Sequence, residues 1–200
     1  MEITLAAFKK LEEDLGQFPE ELFSNYRQAL YSMQQVASSH DLLTWAQHGL
    51  AIASKGNECW EPASEYYKVS PKIASKLNFV NLNSWARSGE TLCDDDPILG
   101  LAYFQVSYDA IQYLDPRQIP GWAQLGHKLH GGNRKSSVLA SDFFKASGIL
   151  LRSISFSELE RVANLIDGLA KHSVEFSSEC LASSQEILPN LVEGRESLIS

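Results

Sequence analysis

Two histidines of this 200-residue chain stand at a spacing that could hold a metal ion. His127 and His130 are three residues apart, so on a helix both imidazoles lie on one face. A structural metal site normally needs four ligands, and no cysteine or carboxylate nearby completes this one. We therefore interpret both residues as partly exposed helix histidines, and we predict no metal and no other cofactor.

An acidic run is the second candidate for chemistry. It consists of Asp94, Asp95 and Asp96. Clustered carboxylates can bind Ca²⁺ or Mg²⁺, but the ligand spacing of an EF-hand loop is absent. Acidic side chains are also favourable at the start of a helix, because they interact with the positive end of the helix dipole. We interpret the run as a helix start that adds to solubility.

The turn from Gly131 to Ser136 combines glycine, arginine, lysine and serine, the residue types of a phosphate-binding loop. A P-loop requires Gly-Lys-Ser/Thr at the opening of a helix that follows a strand, whereas these glycines close a helix. Phosphate capture at the N-terminus of the following helix remains an alternative. The chain contains no Gly-x-Ser-x-Gly or His-Glu-x-x-His motif, and no Ser/His/Asp set can be assigned. We predict that the protein is not an enzyme.

The elements that would position these residues are indicated by an internal repeat. Three segments align on tryptophans about 40 residues apart, each followed by alanine at the next position and by glycine after four. An aromatic pair and then a serine recur after a turn of variable length. The residues that define the unit are Trp45, Gly49 and Tyr66, then Trp85, Gly89 and Tyr103, then Trp122, Gly126 and Phe143. A period of this length is typical of stacked helical repeats.

Both halves of the unit follow the helical period. The tryptophan and the glycine fall on one face of a first helix (helix A), and the aromatic residue and the serine on one face of a second (helix B). Glycine inside a helix costs about 1 kcal/mol relative to alanine, so its recurrence predicts the close approach of a neighbouring helix. The recurrent serine is either a small packing residue or bonds back to a carbonyl one turn earlier.

These patterns predict an all-α fold, a right-handed solenoid of about five helix pairs similar to HEAT and armadillo arrays. The chain is expected to form one domain over residues 1–200. Its parts are a cap pair at 1–38, repeats at 41–77, 82–114 and 119–154, a degenerate cap repeat at 155–188, and a frayed tail or linker at 189–200. Individual helices are expected at 20–37, 62–77 and 173–188, among others. Residues 155–158 resemble a capping box.

Composition limits the classes of partner. The formal net charge is -8 and the basic residues are scattered, which argues against nucleic acid. No apolar run reaches the ~18 residues of a membrane-spanning helix, so we predict no membrane insertion. The N-terminal segment reads as an amphipathic helix rather than a signal peptide, so we expect a cytoplasmic location. The three cysteines are far apart, without a CxxC pair, and are expected to be reduced.

Residues 60–71 of the first repeat read WEPASEYYKVSP. Together with the Trp-x-x-x-Gly-x-x-aliphatic half before it, this pattern resembles the helical region of some bacterial NorD/CoxE-class proteins that carry a von Willebrand factor A domain. The similarity covers about residues 41–154. The Asp-x-Ser-x-Ser metal motif of that family is absent, so its metal-dependent adhesion does not carry over. The resemblance implies a protein-interaction array, accessory to an assembly system linked to an AAA+ ATPase.

We predict a non-enzymatic protein-interaction scaffold whose partner is another protein. In a stacked array the turns from helix A to helix B fall along one edge, and such edges often bind. The candidate edge carries Trp60, Asp94, Asp95, Asp96, Arg134 and Lys135, and its first turn adds Lys55, Glu58 and Glu61. One alternative is a small-molecule or phosphate-binding regulatory module that uses the 131–136 turn. A second is a structural or oligomerising helical domain.

Overall fold

A computed structural model of the chain describes residues 2–35, 37–131 and 134–199. Every regular element in that part of the chain is helical, which confirms the all-α prediction. Two short 3₁₀ turns, Asn57–Cys59 and Pro116–Gln118, lead into helices. The α-helices are Glu2–Leu15 (α1), Glu20–Met33 (α2), Ser39–Ala53 (α3), Trp60–Ala74 (α4), Phe79–Asp95 (α5), Pro97–Ile111 (α6), Ile119–His130 (α7), Arg134–Leu150 (α8), Phe156–Ala170 (α9) and Val174–Ile199 (α10).

Side-chain caps fix where several of these helices begin. The Ser38 hydroxyl accepts a hydrogen bond from the Asp41 amide at 3.2 Å, ahead of α3. Ser155 and Glu158 form the predicted capping box, in which each side chain accepts a hydrogen bond from the other residue's backbone amide. Gly131 closes α7 in the left-handed conformation, with φ of 54°, a geometry that glycine adopts without steric cost.

The three helices expected at 20–37, 62–77 and 173–188 have different boundaries in the structure. Helix α2 ends at Met33 rather than 37, since the cap at Ser38 requires extended backbone before α3. Helix α4 covers Trp60–Ala74 rather than 62–77, because the 3₁₀ turn before it continues directly into the helix. Helix α10 continues to Ile199, beyond the predicted end at 188. Pro189 lies inside α10. A proline inside a helix removes one backbone hydrogen bond and bends the helix, but the helix can continue beyond it.

The chain divides into two compact units, Met1–Tyr108 and Asp109–Ser200. In the first unit α3 packs against α1, α4 and α5, while α2 packs along α4. In the second unit α8 packs against α7 and α10, and α9 contacts the same two helices. The largest fully buried side chains come mostly from the aligned aromatic positions, so the repeated residues build the cores of both units. The predicted right-handed solenoid concerns the stacking of successive pairs and stays a prediction.

Candidate functional site at the turns between paired helices

The glycines of helix A make room for an aromatic ring of helix B. A Cβ atom at Gly89 would come within 3.0 Å of the Phe104 ring, a distance that real Cβ atoms essentially never show. The pairs that share this contact are Gly49 with Tyr67, Gly89 with Phe104 and Gly126 with Phe144. The predicted close approach is therefore that of a ring, the second member of each aromatic pair. This contact sets how near helix B comes to helix A.

A tryptophan–serine hydrogen bond joins the two helices in two of the three segments. The Trp85 indole donates to the Ser107 hydroxyl at 2.8 Å, and the Trp122 indole donates to the Ser147 hydroxyl at the same distance. The Ser107 hydroxyl in turn donates to the Tyr103 carbonyl, one turn earlier, at 2.6 Å. The prediction that the recurrent serine bonds back to a carbonyl one turn earlier is therefore confirmed. Its role as acceptor for the indole is a feature that the sequence analysis missed.

The first segment keeps the serine but lacks the indole bond. Ser70 donates to the Tyr66 carbonyl at 2.6 Å, whereas the fully buried Trp45 indole nitrogen has no hydrogen-bond partner among the described residues. The helices are still linked through the tyrosines, because the hydroxyls of Tyr66 and Tyr67 donate to the carbonyls of Trp45 and Ala46 at 2.9 and 2.8 Å.

Burial removes the buried phenols and thiols from consideration as catalytic groups. Burial holds the pKa of Tyr66, Tyr67 and Tyr103 well above the ordinary value of 10.0, so these phenols are neutral at physiological pH. Burial likewise raises the pKa of the Cys93 thiol, and the nearby Cys59 raises it further. A thiol that stays protonated is a poor nucleophile and a poor metal ligand. The aligned aromatic residues are core residues.

The first turn between paired helices is a compact structure tied to the next helix pair. Gly56, with φ of 152°, allows the chain to leave α3 and enter the 3₁₀ turn. The Lys55 ammonium donates to the Glu90 carbonyl at 2.9 Å and also bonds the Asp94 carboxylate, both on α5. The charged end of α3 is thereby fixed to the α5 helix that leads into the second turn.

The second turn is shorter and is closed by Asp96. The Asp96 carboxylate accepts a hydrogen bond from the Ile98 amide at 2.9 Å, at the start of α6. Pro97 is the first residue of that helix, a position where its missing amide hydrogen costs nothing. Gly100, one turn later, leaves space for the buried Cys93 side chain. These contacts place Ile98 at the surface, where its side chain is 48% exposed.

Together the two turns line a groove, named here the turn groove, with a volume of about 230 Å³. The four apolar residues of its lining are named here its floor, and the three acidic residues its rim. The residues that line it are Glu58, Glu61, Pro62, Asp96, Pro97, Ile98 and Leu101. Glu58 and Glu61 are exposed, and neither makes an ion pair or a hydrogen bond within the described residues. The turn groove therefore combines an apolar surface with carboxylates that retain binding capacity.

The structure brings together only part of the predicted edge. Asp96 meets the first turn in the groove, whereas Asp94 faces Lys55 and Asp95 is exposed. The interpretation of the acidic run as a helix start is wrong for Asp94 and Asp95, which end α5, and fits only Asp96, directly before α6. Trp60 begins α4 rather than lying in a turn, and it is half-buried against Phe18, with ring centroids 6.3 Å apart. The side chains of Arg134 and Lys135 lie outside the described residues. The sequence analysis missed Ile98 and Leu101 as site residues, because the exposure of side chains at the start of α6 depends on tertiary contacts.

A polar groove between α3 and α5 is the second candidate site, with a volume of about 410 Å³. Its centre is a hydrogen bond of 2.8 Å between the imidazole Nδ1 of His48 and the Glu90 carboxylate. Such a pair can orient a general base, but a nucleophile is also required. The nearby hydroxyls of Thr44 and Thr91 donate to helix carbonyls one turn earlier. The pair is 42 residues apart in sequence, and no local pattern signals it.

A third groove, with a volume of about 650 Å³, lies between α1, α2 and α3. Its only charged lining residues are Lys9 and Glu12, of opposite sign. No buried polar side chain is among the residues that line it. A small-molecule site normally has a few convergent polar groups that fix the orientation of its ligand. This groove therefore carries no assignment.

No three His, Cys, Asp or Glu side chains in the described part of the chain meet in a way that could hold a metal ion. His127 is exposed and His130 half-buried, near the end of α7. None of the helices over the described ranges has both the length and the apolar character needed to cross a membrane. The chain matches no family model, no curated protein and no solved structure.

Proposed function

We propose that this protein is a non-enzymatic interaction scaffold that binds a partner protein at the turns between its paired helices. The observation that carries the proposal is the turn groove. Its volume of about 230 Å³ is smaller than the ~300–1,000 Å³ of typical small-molecule pockets, so it fits one or two side chains of a polypeptide better than a metabolite. Four of its seven lining residues are apolar and three are acidic, a mixture that suits a protein surface.

Contacts between helices support the solenoid on which this scaffold is based. In the first unit α3 contacts the equivalent helices α1 and α5, while α4 contacts the equivalent helix α2. Pairing of like with like is the arrangement of a two-layer stack, the right-handed HEAT-like array that the sequence predicts. The glycine–aromatic contact recurs in three segments and would give the two helices of each pair the same spacing. We also propose that this protein is located in the cytoplasm.

The resemblance to NorD/CoxE-class helical regions suggests a class of partner. We propose that the scaffold is an accessory of an assembly system that includes a von Willebrand factor A protein or an AAA+ ATPase. In this proposal the protein acts by binding its partner, and the turn groove supplies the recognition surface. Phosphate binding at the 131–136 turn is supported by no observation beyond the glycine that ends α7.

Affinity capture with charge-reversed variants tests the proposal. The immobilised full chain is incubated with a lysate of its source cells, and captured proteins are quantified by mass spectrometry. Glu58→Lys with Glu61→Lys reverses the groove, and Arg134→Glu with Lys135→Glu reverses the basic turn. Asp109→Lys with Glu179→Lys, two exposed acidic residues that do not line the groove, gives the charge-matched control.

The expected result is a protein that the wild type and the control capture and that one or both edge variants lose. Loss with the groove variant alone assigns binding to the first two turns, and loss with both variants extends binding to the basic turn. Identical capture by all variants, or no protein enriched over a blank resin, contradicts the proposed function.

A further inference from the structure

We propose that the turn groove recognises an extended segment of its partner in which a lysine or arginine stands next to an aliphatic residue or a proline. The inference rests on the proposed function and names the chemistry of the partner. It depends on three properties of the groove: the shape of its floor, the charge of its rim and the rigidity of the two turns.

The floor of the groove is apolar and its shape is fixed. Pro62 is buried at the start of α4, and Pro97 fixes the backbone at the start of α6. Ile98 and Leu101 complete the floor, one turn apart on the same face of α6. Ile98 is 48% exposed, so a side chain that covers it gains hydrophobic free energy. An aliphatic side chain or a proline ring matches this floor in chemistry and size.

The rim of the groove attracts a cation. The Glu58 and Glu61 carboxylates have no ion pair within the described residues, whereas Asp94, near the end of α5, already pairs with Lys55. A lysine or arginine that approaches therefore meets carboxylates that are not yet compensated. The formal net charge of -8 adds a long-range attraction for a basic segment and a repulsion for an acidic one.

Both walls are held in place before any partner binds. Lys55 connects the first turn to α5 through the Glu90 carbonyl and the Asp94 carboxylate. Asp96 caps the start of α6, and Gly56 supplies the one backbone conformation in the first turn that other residues rarely adopt. Because little ordering remains to be done on binding, a short segment can be held with useful affinity.

A random heptapeptide library displayed on phage and selected against the immobilised full chain provides the test. The most enriched sequence is synthesised, and its affinity is measured by fluorescence anisotropy at low and high salt. The expected peptides combine a basic residue with an adjacent aliphatic residue or proline. Glu58→Gln with Glu61→Gln should weaken binding by about tenfold and flatten its salt dependence. Ile98→Ala should weaken it at both salt concentrations, while Asp109→Asn with Glu179→Gln, which changes the net charge by the same amount away from the groove, should leave it nearly unchanged.

Four results would overturn the inference. They are the enrichment of no peptide, enriched peptides without a basic residue, equal binding by the Glu58/Glu61 variant, and self-association of the chain that this variant abolishes. The last would show that a second copy occupies the groove. Each of them leaves the proposed function standing if affinity capture still finds a partner that the basic-turn variant loses. Loss of all specific capture removes the function itself, whichever peptides the library yields.

Discussion

Phe104 occupies the space that a side chain at Gly89 would need. Its ring lies so close to the glycine that even a Cβ atom would come within 3.0 Å of ring carbons. The ring also packs edge-on against Trp85 at 5.3 Å between centroids, and both residues are fully buried. The glycine, the tryptophan and the ring therefore form one interlocked contact between α5 and α6.

Substitution of Gly89 should destabilise the protein even when the new residue is alanine. Alanine favours the helix by about 1 kcal/mol over glycine, but its methyl group would overlap the Phe104 ring, and overpacking typically costs ~1–3 kcal/mol. We expect a net loss in the free energy of unfolding for Gly89→Ala and a larger one for Gly89→Leu. Urea unfolding measures both.

The double variant Gly89→Ala with Phe104→Leu provides the control for this prediction. The smaller side chain should relieve the overlap, so the two changes together should cost less than the sum of their separate effects. Additive effects, or a stabilised Gly89→Ala variant, would show that the Phe104 ring has room to move away. The recurrence of glycine at this position would then need another explanation.

The two buried serines at equivalent places should respond differently to alanine. Ser70 and Ser107 each donate to a carbonyl one turn earlier, but only Ser107 accepts the indole hydrogen of a tryptophan. Ser107→Ala leaves the buried Trp85 indole without a partner, at a cost of roughly 1–3 kcal/mol. We expect it to lower the free energy of unfolding clearly more than Ser70→Ala does. Equal losses in chemical denaturation would mean that the indole bond contributes nothing.

Alkaline pH should unfold the chain rather than ionise its core tyrosines. Burial raises the pKa of Tyr66, Tyr67 and Tyr103 above the value of 10.0 of the free phenol. Between the unfolded and the folded pKa the folded state holds more protons, so stability is intact below about pH 10 and falls as the pH rises above it. The near-ultraviolet absorbance of tyrosinate should therefore rise in two steps, the second coinciding with loss of helical circular dichroism. One smooth titration of all tyrosines with the helices intact would refute this.

Much of the fold follows from local patterns in the chain. The recurrence of Trp45, Trp85 and Trp122 with their glycines predicts helix A, and Ser155 with Glu158 predicts the start of α9, since both depend on spacing within one helix. Helix ends were less predictable, because α2 and α4 end where the next helix needs a capping residue with extended backbone.

The candidate site could be predicted only in part. The charges of Glu58, Glu61 and Asp96 are visible in the sequence, but their meeting in one groove depends on how two helix pairs pack. The exposure of the floor residue Ile98 also depends on how the helix pairs pack, since nothing in the neighbouring sequence signals an exposed side chain. The absence of an indole bond at Trp45, despite Ser70 at the equivalent place, likewise depends on orientations that the alignment does not contain.

Hydrogen exchange of the complex with the captured partner tests the central claim most directly. Amide exchange is compared by mass spectrometry between the free chain and the complex of the full chain with its partner. Binding at the turn groove should slow exchange at residues 57–62 and 95–101, with smaller changes in the outer helix faces. Protection confined to other segments, with both turns exchanging as in the free chain, would contradict the account.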